Sequence, residues 1–181
     1  MEKSLSKATI KLSTEAAFIL LTVVSAVVLP QIFHGVGVLL GVGGKLGQIF
    51  LPMYIPVLIL GFYRGPIPGA IAGLLSPLVS FLITEMPSAA LLPFITLELI
   101  VMGSLAGVFA KSKIHAALRV LSVQAIAKTS RLVVYAISLA ITTGRVTAGA
   151  LFSGILISIP GVIIQLALLT YLIIEKEKQH E

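Results

Sequence analysis

The stretch that decides the fold is Gln124-Ala-Ile-Ala-Lys128-Thr-Ser-Arg131-Leu-Val-Val-Tyr135, at the middle of an apolar segment that runs from Ala116 to Thr142. The segment can cross a bilayer, because about 20 helical residues at about 1.5 Å each cover a hydrocarbon core of roughly 30 Å. Two cations nevertheless lie near its centre. On a helix, the spacings of four and three predict one polar stripe made of Gln124, Lys128, Arg131, Tyr135, Ser138 and Thr142.

A charged residue at the centre of a membrane helix is costly, at roughly 2.5 to 3.5 kcal/mol for each Lys or Arg on insertion scales. Such groups therefore face a bundle interior or a wet cavity. One explanation of Lys128 and Arg131 is that they only pair with an intramembrane carboxylate, and Glu98 is the carboxylate available for it. One carboxylate cannot neutralise two cations, so we interpret the stripe as the wall of a cavity that binds an anionic ligand group.

The composition excludes a soluble domain of this size, since 57% of the 181 residues are hydrophobic and 11% are charged, and mean hydropathy is +1.10. The net charge of +6 does not indicate nucleic-acid binding, because most of the basic residues lie at helix ends, where they set topology. The absence of cysteine excludes disulfides and thiolate metal sites. The histidines all fall in predicted loops or the tail: His34, His115 and His180. We therefore expect no metal, no cofactor and no enzymatic activity.

Hydropathy predicts an all-α fold, a single membrane domain over residues 1–181 that forms a six-helix transmembrane bundle. The predicted spans are about 12–30, 49–64, 67–84, 92–110, 116–142 and 149–174. An even number of spans places both termini on one side. That side carries nine Lys and Arg residues, and the other side carries two, Lys45 and Arg145. The bias predicts cytoplasmic termini for a multi-pass protein of the cell membrane.

The segment from Pro30 to Gln48 contains six glycines and is predicted to be a mobile outer loop. We interpret it as a gate over the cavity, with His34, Lys45 and Gln48 as its polar residues. A plain connector explains the same composition equally well.

The last span offers two further candidates for ligand contact, Ser158 and Gln165, which lie on a face of small and polar residues. Buried Ser and Gln side chains more often hold membrane helices together, so that role is the alternative. Glu98 lies in the outer half of the fourth span, about two turns from its outer end.

Several segments in order carry a resemblance to one family: Phe50-Leu-Pro-Met-Tyr-Ile-Pro-Val-Leu-Ile-Leu-Gly-Phe-Tyr-Arg-Gly-Pro66, Gly69-Ala-Ile-Ala-Gly73, Leu97-Glu98-Leu99, Gly103 and Ser130-Arg131-Leu-Val-Val-Tyr135. The chain resembles the substrate-binding S component of energy-coupling factor (ECF) vitamin transporters. The resemblance implies a bundle that captures a vitamin from outside, among helices four to six. It also implies docking on a transmembrane coupling subunit driven by two ATPase subunits. Small residues of the first helix would meet that subunit, here Ser13 and Ala17.

Two other functions stay open from the sequence. A solitary secondary transporter or channel would place Lys128 and Arg131 along a conduction path. An intramembrane serine protease is hinted at by Gly149-Ala-Leu-Phe-Ser153-Gly154, but no membrane histidine is present to activate the serine. The vitamin is also undecided: the positive stripe favours an acid such as pantothenate, while folate or cobalamin remains open.

Overall fold

The computed structural model describes residues 2–43, 45–143 and 148–179, with side chains over 12–43, 46–143 and 156–179. Within these ranges the backbone is helix and turn, without a strand. The helices are α1 (Glu2–Leu39), α2 (Lys45–Phe50), α3 (Tyr54–Arg64), α4 (Pro66–Thr84), α5 (Leu92–Phe109), α6 (Ala116–Thr143) and α7 (Ala148–Lys178). Six stretches are long and apolar enough to cross a membrane, with α2 and α3 together forming one of them. The all-α, six-helix prediction is confirmed.

The main difference from the predicted elements lies between residues 30 and 50. The first helix continues through Pro30 to Leu39, and a short helix begins at Lys45. The prediction of a loop is therefore wrong for most of this segment. Pro30 removes one backbone hydrogen bond, which a membrane helix tolerates when neighbouring helices pack around it, and Pro30 is buried. The last helix also runs four residues further than predicted, to Lys178.

The helices alternate in direction, so the bundle has two different ends. We define the terminal end as the one where α1 begins and α7 ends, and the cavity end as the opposite one. The fifth helix is central and packs against α3, α4 and α6. On its two sides, α1 packs against α3 and α4, and α7 packs against α6 and α2. The turn at residues 85–91 and the helix α2 both lie at the cavity end.

Glycines let α4 and α5 contact each other directly through their backbones. A Cβ atom added to Gly69 would overlap the carbonyl oxygen of Gly103, and one added to Gly103 would overlap that of Gly69. One turn further along, Gly73 lies against the carbonyl group of Leu99. Small residues are the usual means of close approach between membrane helices. This contact fixes α5 in the middle of the bundle and thereby sets the position of Glu98.

Candidate functional site

Glu98 is the centre of a charged cluster inside the bundle. Its side chain has 0% exposure and accepts hydrogen bonds from three residues. Lys128 Nζ donates to Oε1 at 3.2 Å, while Tyr54 Oη and Arg131 Nη1 each donate to Oε2 at 2.8 Å. Both cations therefore pair with the same carboxylate, and the cluster keeps one net positive charge.

Three helices deliver these side chains to one point. Tyr54 is the first residue of α3, Glu98 lies on α5 beside the close contact with α4, and the two cations lie on α6. Because Lys128 and Arg131 are three residues apart, they project from neighbouring positions on one helix face. Lys128 Nζ also lies 5.6 Å from the centre of the Tyr54 ring, a cation–π distance that binds the cluster to α3.

The charged cluster forms the floor of a cavity of about 640 Å³ that opens at the cavity end. Lys128 and Arg131 line it with 15% and 28% of their side chains exposed. A volume in this range suits a small organic molecule. Pairing with a carboxylate and lining a cavity are therefore both true of these cations, since they pair with Glu98 and also face the cavity.

An aromatic pair forms part of the wall above the floor. The rings of Phe94 and Tyr135 meet edge to face at 82°, with centroids 5.1 Å apart. Both line the cavity, as does Ser158 from α7. The structure therefore brings Tyr135 and Ser158 to the same cavity as the cations, and their contact with a ligand stays a prediction.

The last turns of α1 and the short helix α2 cover one side of the cavity. His34 and Gln48 line the cavity, and the His34 ring packs so closely on Gly47 that an added Cβ would lie 2.9 Å from its Cε1. His34 Nδ1 is buried without a hydrogen-bond partner among the described residues. The Lys45 side chain lies outside the described residues. The gating function proposed for these three residues stays a prediction.

Two predicted site residues, Gln124 and Gln165, do not line the cavity. Gln124 is 2% exposed and does not line it, and neither amide atom has a partner in the described part of the chain. Gln165 is fully buried and donates from Nε2 to the carbonyl oxygen of Leu51 at 3.3 Å. Both lie in packed parts of the bundle, so the interpretation of Gln124 as part of the cavity wall is wrong. Gln165 has the role that was its alternative, because its hydrogen bond holds α7 to the turn before α3.

Sequence reasoning missed two residues of the site. Tyr54 donates to Glu98 from 44 positions earlier in the chain, and no local pattern relates the two. Glu85 lines the cavity at its mouth, on the turn that ends α4, where its left-handed φ of 57° is unusual for a residue with a side chain. The mouth therefore carries a negative group above a positive floor.

The predicted docking residues Ser13 and Ala17 are both exposed on α1, near the terminal end and far from the cavity. Between them, Glu15 forms an ion pair with Arg64 at the end of α3. This pair holds α1 against α3 at Glu15, while Ser13 and Ala17 remain on the outer surface.

Within the residues whose side chains are described, no group of three or more His, Cys, Asp or Glu residues could hold a metal ion. Comparison with family models, curated proteins and solved structures found no match to this chain. Fold and site together define a multi-pass α-helical membrane protein with a polar cavity at one end of its bundle.

Proposed function

We propose that this chain is the membrane-embedded substrate-binding subunit of an ECF-type uptake transporter for a vitamin or similar micronutrient. It captures a small anionic molecule and does not act as an enzyme. The observation that carries the proposal is the cavity floor, where two cations share one buried carboxylate and turn their remaining exposed surface toward a space of about 640 Å³.

The charge of the floor indicates the class of ligand. An anionic group would meet the one positive charge that Glu98 leaves uncompensated. The Arg131 guanidinium suits a carboxylate through its planar fork, while the Lys128 ammonium acts as an adaptable point charge. Glu85 at the mouth disfavours a second anionic group there. A ligand with a single carboxylate, such as pantothenate, therefore fits the arrangement best.

The distribution of basic residues supports a cavity that opens to the outside. Six Lys and Arg residues in the described side chains lie at the terminal end: Arg64, Lys111, Lys113, Arg119, Lys176 and Lys178. Basic residues concentrate on the cytoplasmic side of membrane proteins. The rule favours cytoplasmic termini, and we propose that the protein lies in the cell membrane with its ligand entering from outside.

Uptake against a gradient needs an energy source, and the sequence contains no nucleotide-binding motif. We propose that a transmembrane coupling subunit with two ATPase subunits supplies the energy, and that this chain contacts the coupling subunit through Ser13 and Ala17.

An Ala17→Leu variant should keep its melting temperature, because Ala17 is exposed, and should lose co-purification with the partner subunits. Ala90→Leu, at an exposed position of the cavity end, is the control and should co-purify normally. Normal assembly of Ala17→Leu would remove α1 from the docking surface.

The ligand site is tested in two stages. Native mass spectrometry of the protein from its host identifies a co-purifying small acid, and calorimetry then measures its affinity. Arg131→Ala should cost about 2 to 5 kcal/mol of binding, the range for truncating one partner of a buried charge pair, which is a loss of about thirtyfold or more. Arg131→Lys should recover part of the loss, and Arg64→Ala at the terminal end should not change affinity. A folded Lys128→Ala, Arg131→Ala double variant with unchanged affinity would refute the anion site.

Reconstitution into liposomes tests the need for partners. The chain alone should bind the acid and fail to accumulate it. Accumulation by the lone protein would instead identify a solitary transporter.

A further inference from the structure

A second cavity of about 420 Å³ lies at the terminal end, where α3, α5 and α7 end and α6 begins. Because these helix ends are the limits of the candidate membrane spans, we expect the cavity to lie at the level of the lipid headgroups. Its walls combine charged and apolar side chains: Phe62, Tyr63, Ala110, Arg119, Ile173, Lys176 and Glu177.

Arg119 is the buried cation of this cavity, with 9% of its side chain exposed. Its Nη1 donates to Glu177 Oε1 at 2.6 Å, and its Nε donates to the carbonyl oxygen of Ile114 at 2.7 Å. A guanidinium carries five N–H donors, so these contacts leave donors for another acceptor.

Lys176 supplies the second cation. Its Nζ donates to the carbonyl oxygen of Phe62 at 3.2 Å and lies 4.5 Å from the centre of the Tyr63 ring. Among the described side chains, no carboxylate lies within ion-pair distance of this ammonium. The cavity therefore holds two cations and one paired carboxylate, which leaves a positive charge available to an anion.

The apolar wall indicates what kind of molecule would carry the anionic group. Phe62 and Ile173 are buried, and Tyr63 is exposed at the level where aromatic residues meet headgroups in membrane proteins. Basic pockets between transmembrane helices on the cytoplasmic side are typical sites for anionic headgroups. We propose that this second cavity binds a phosphate-bearing anion, the headgroup of an anionic phospholipid, through Lys176 and Arg119.

The test uses the purified protein in mild detergent with equal amounts of phosphatidylglycerol and phosphatidylcholine of identical acyl chains, read by native mass spectrometry. The wild type should retain phosphatidylglycerol over phosphatidylcholine by about fivefold, the effect of one cation near an anionic bilayer. Lys176→Gln should lose this preference, because it removes the ammonium charge and keeps a polar side chain of similar size. Lys176→Arg should keep the preference. Lys178→Gln, which removes an exposed charge in the same helical turn outside the cavity, should also keep it.

Salt dependence and competition with inorganic phosphate test the wild-type protein independently of the variants. Raising the salt concentration about tenfold should reduce the wild-type preference, because screening weakens interfacial charge interactions. Inorganic phosphate should not displace phosphatidylglycerol. If it does, the cavity is a site for free phosphate, and the proposal that it binds a lipid headgroup is refuted. The proposed site is refuted if the wild type retains the two lipids equally, or if Lys176→Gln keeps the wild-type preference for phosphatidylglycerol.

Discussion

Replacing Glu98 with Gln removes the charge that holds three helices together and keeps the side-chain volume. The amide has one oxygen where the carboxylate had two. In either orientation of the amide, its NH₂ group takes the place of one carboxylate oxygen, and so faces either Lys128 or both Tyr54 and Arg131. A donor then meets a donor, and both cations lose their counter-charge.

The size of the effect depends on how well the cavity can solvate the two cations. Breaking a buried ion pair by removing one partner costs about 3 to 5 kcal/mol. Lys128 and Arg131 keep 15% and 28% of their side chains exposed, so water in the cavity offsets part of that loss. We therefore expect about 3 kcal/mol at most, which corresponds to a fall of about 6 to 12 °C in melting temperature for a chain of this length.

Thermal unfolding in mild detergent measures this difference. Glu175→Gln is the matched control, because it removes an exposed carboxylate that has no ion pair among the described side chains. It should change stability by no more than about 0.5 kcal/mol. Adding Lys128→Gln to Glu98→Gln should recover part of the melting temperature, since one uncompensated cation is removed. Equal melting temperatures for Glu98→Gln and Glu175→Gln would refute the view that this cluster stabilises the bundle.

Two further changes test how the cluster is positioned. Gly103→Ala should destabilise the protein by about 1 to 3 kcal/mol, because its Cβ would overlap the carbonyl oxygen of Gly69 and force α4 and α5 apart. Gly35→Ala, at a helical position with open space, is the control and should not lower the melting temperature. Tyr54→Phe removes one of the three hydrogen bonds to Glu98 and should cost about 1.5 to 3 kcal/mol, the range for a bond to a charged group. An unchanged melting temperature for Tyr54→Phe would show that the two cations alone hold the carboxylate.

Hydropathy predicts most of the fold because membrane spans are determined by length and apolar content, which are local properties. It fails at Pro30, where a proline ordinarily indicates the end of a helix. The helix continues because Pro30 is buried among neighbouring helices, and that environment is a tertiary property. The glycines that follow indicate a loop for the same local reason, although Gly35 and Gly37 belong to α1 and Gly47 to α2.

The polar stripe of α6 shows why the site was only partly predictable. Helical spacing predicts which residues share a face, but one face passes through different surroundings along the helix axis. Gln124 lies where α6 is packed inside the bundle, Lys128, Arg131 and Tyr135 lie beside the cavity, and Thr142 is exposed beyond it. These depths depend on where α5 and α7 cross α6. The contact of Gly69 with Gly103 fixes the position of α5, and so decides which part of the stripe can meet a ligand.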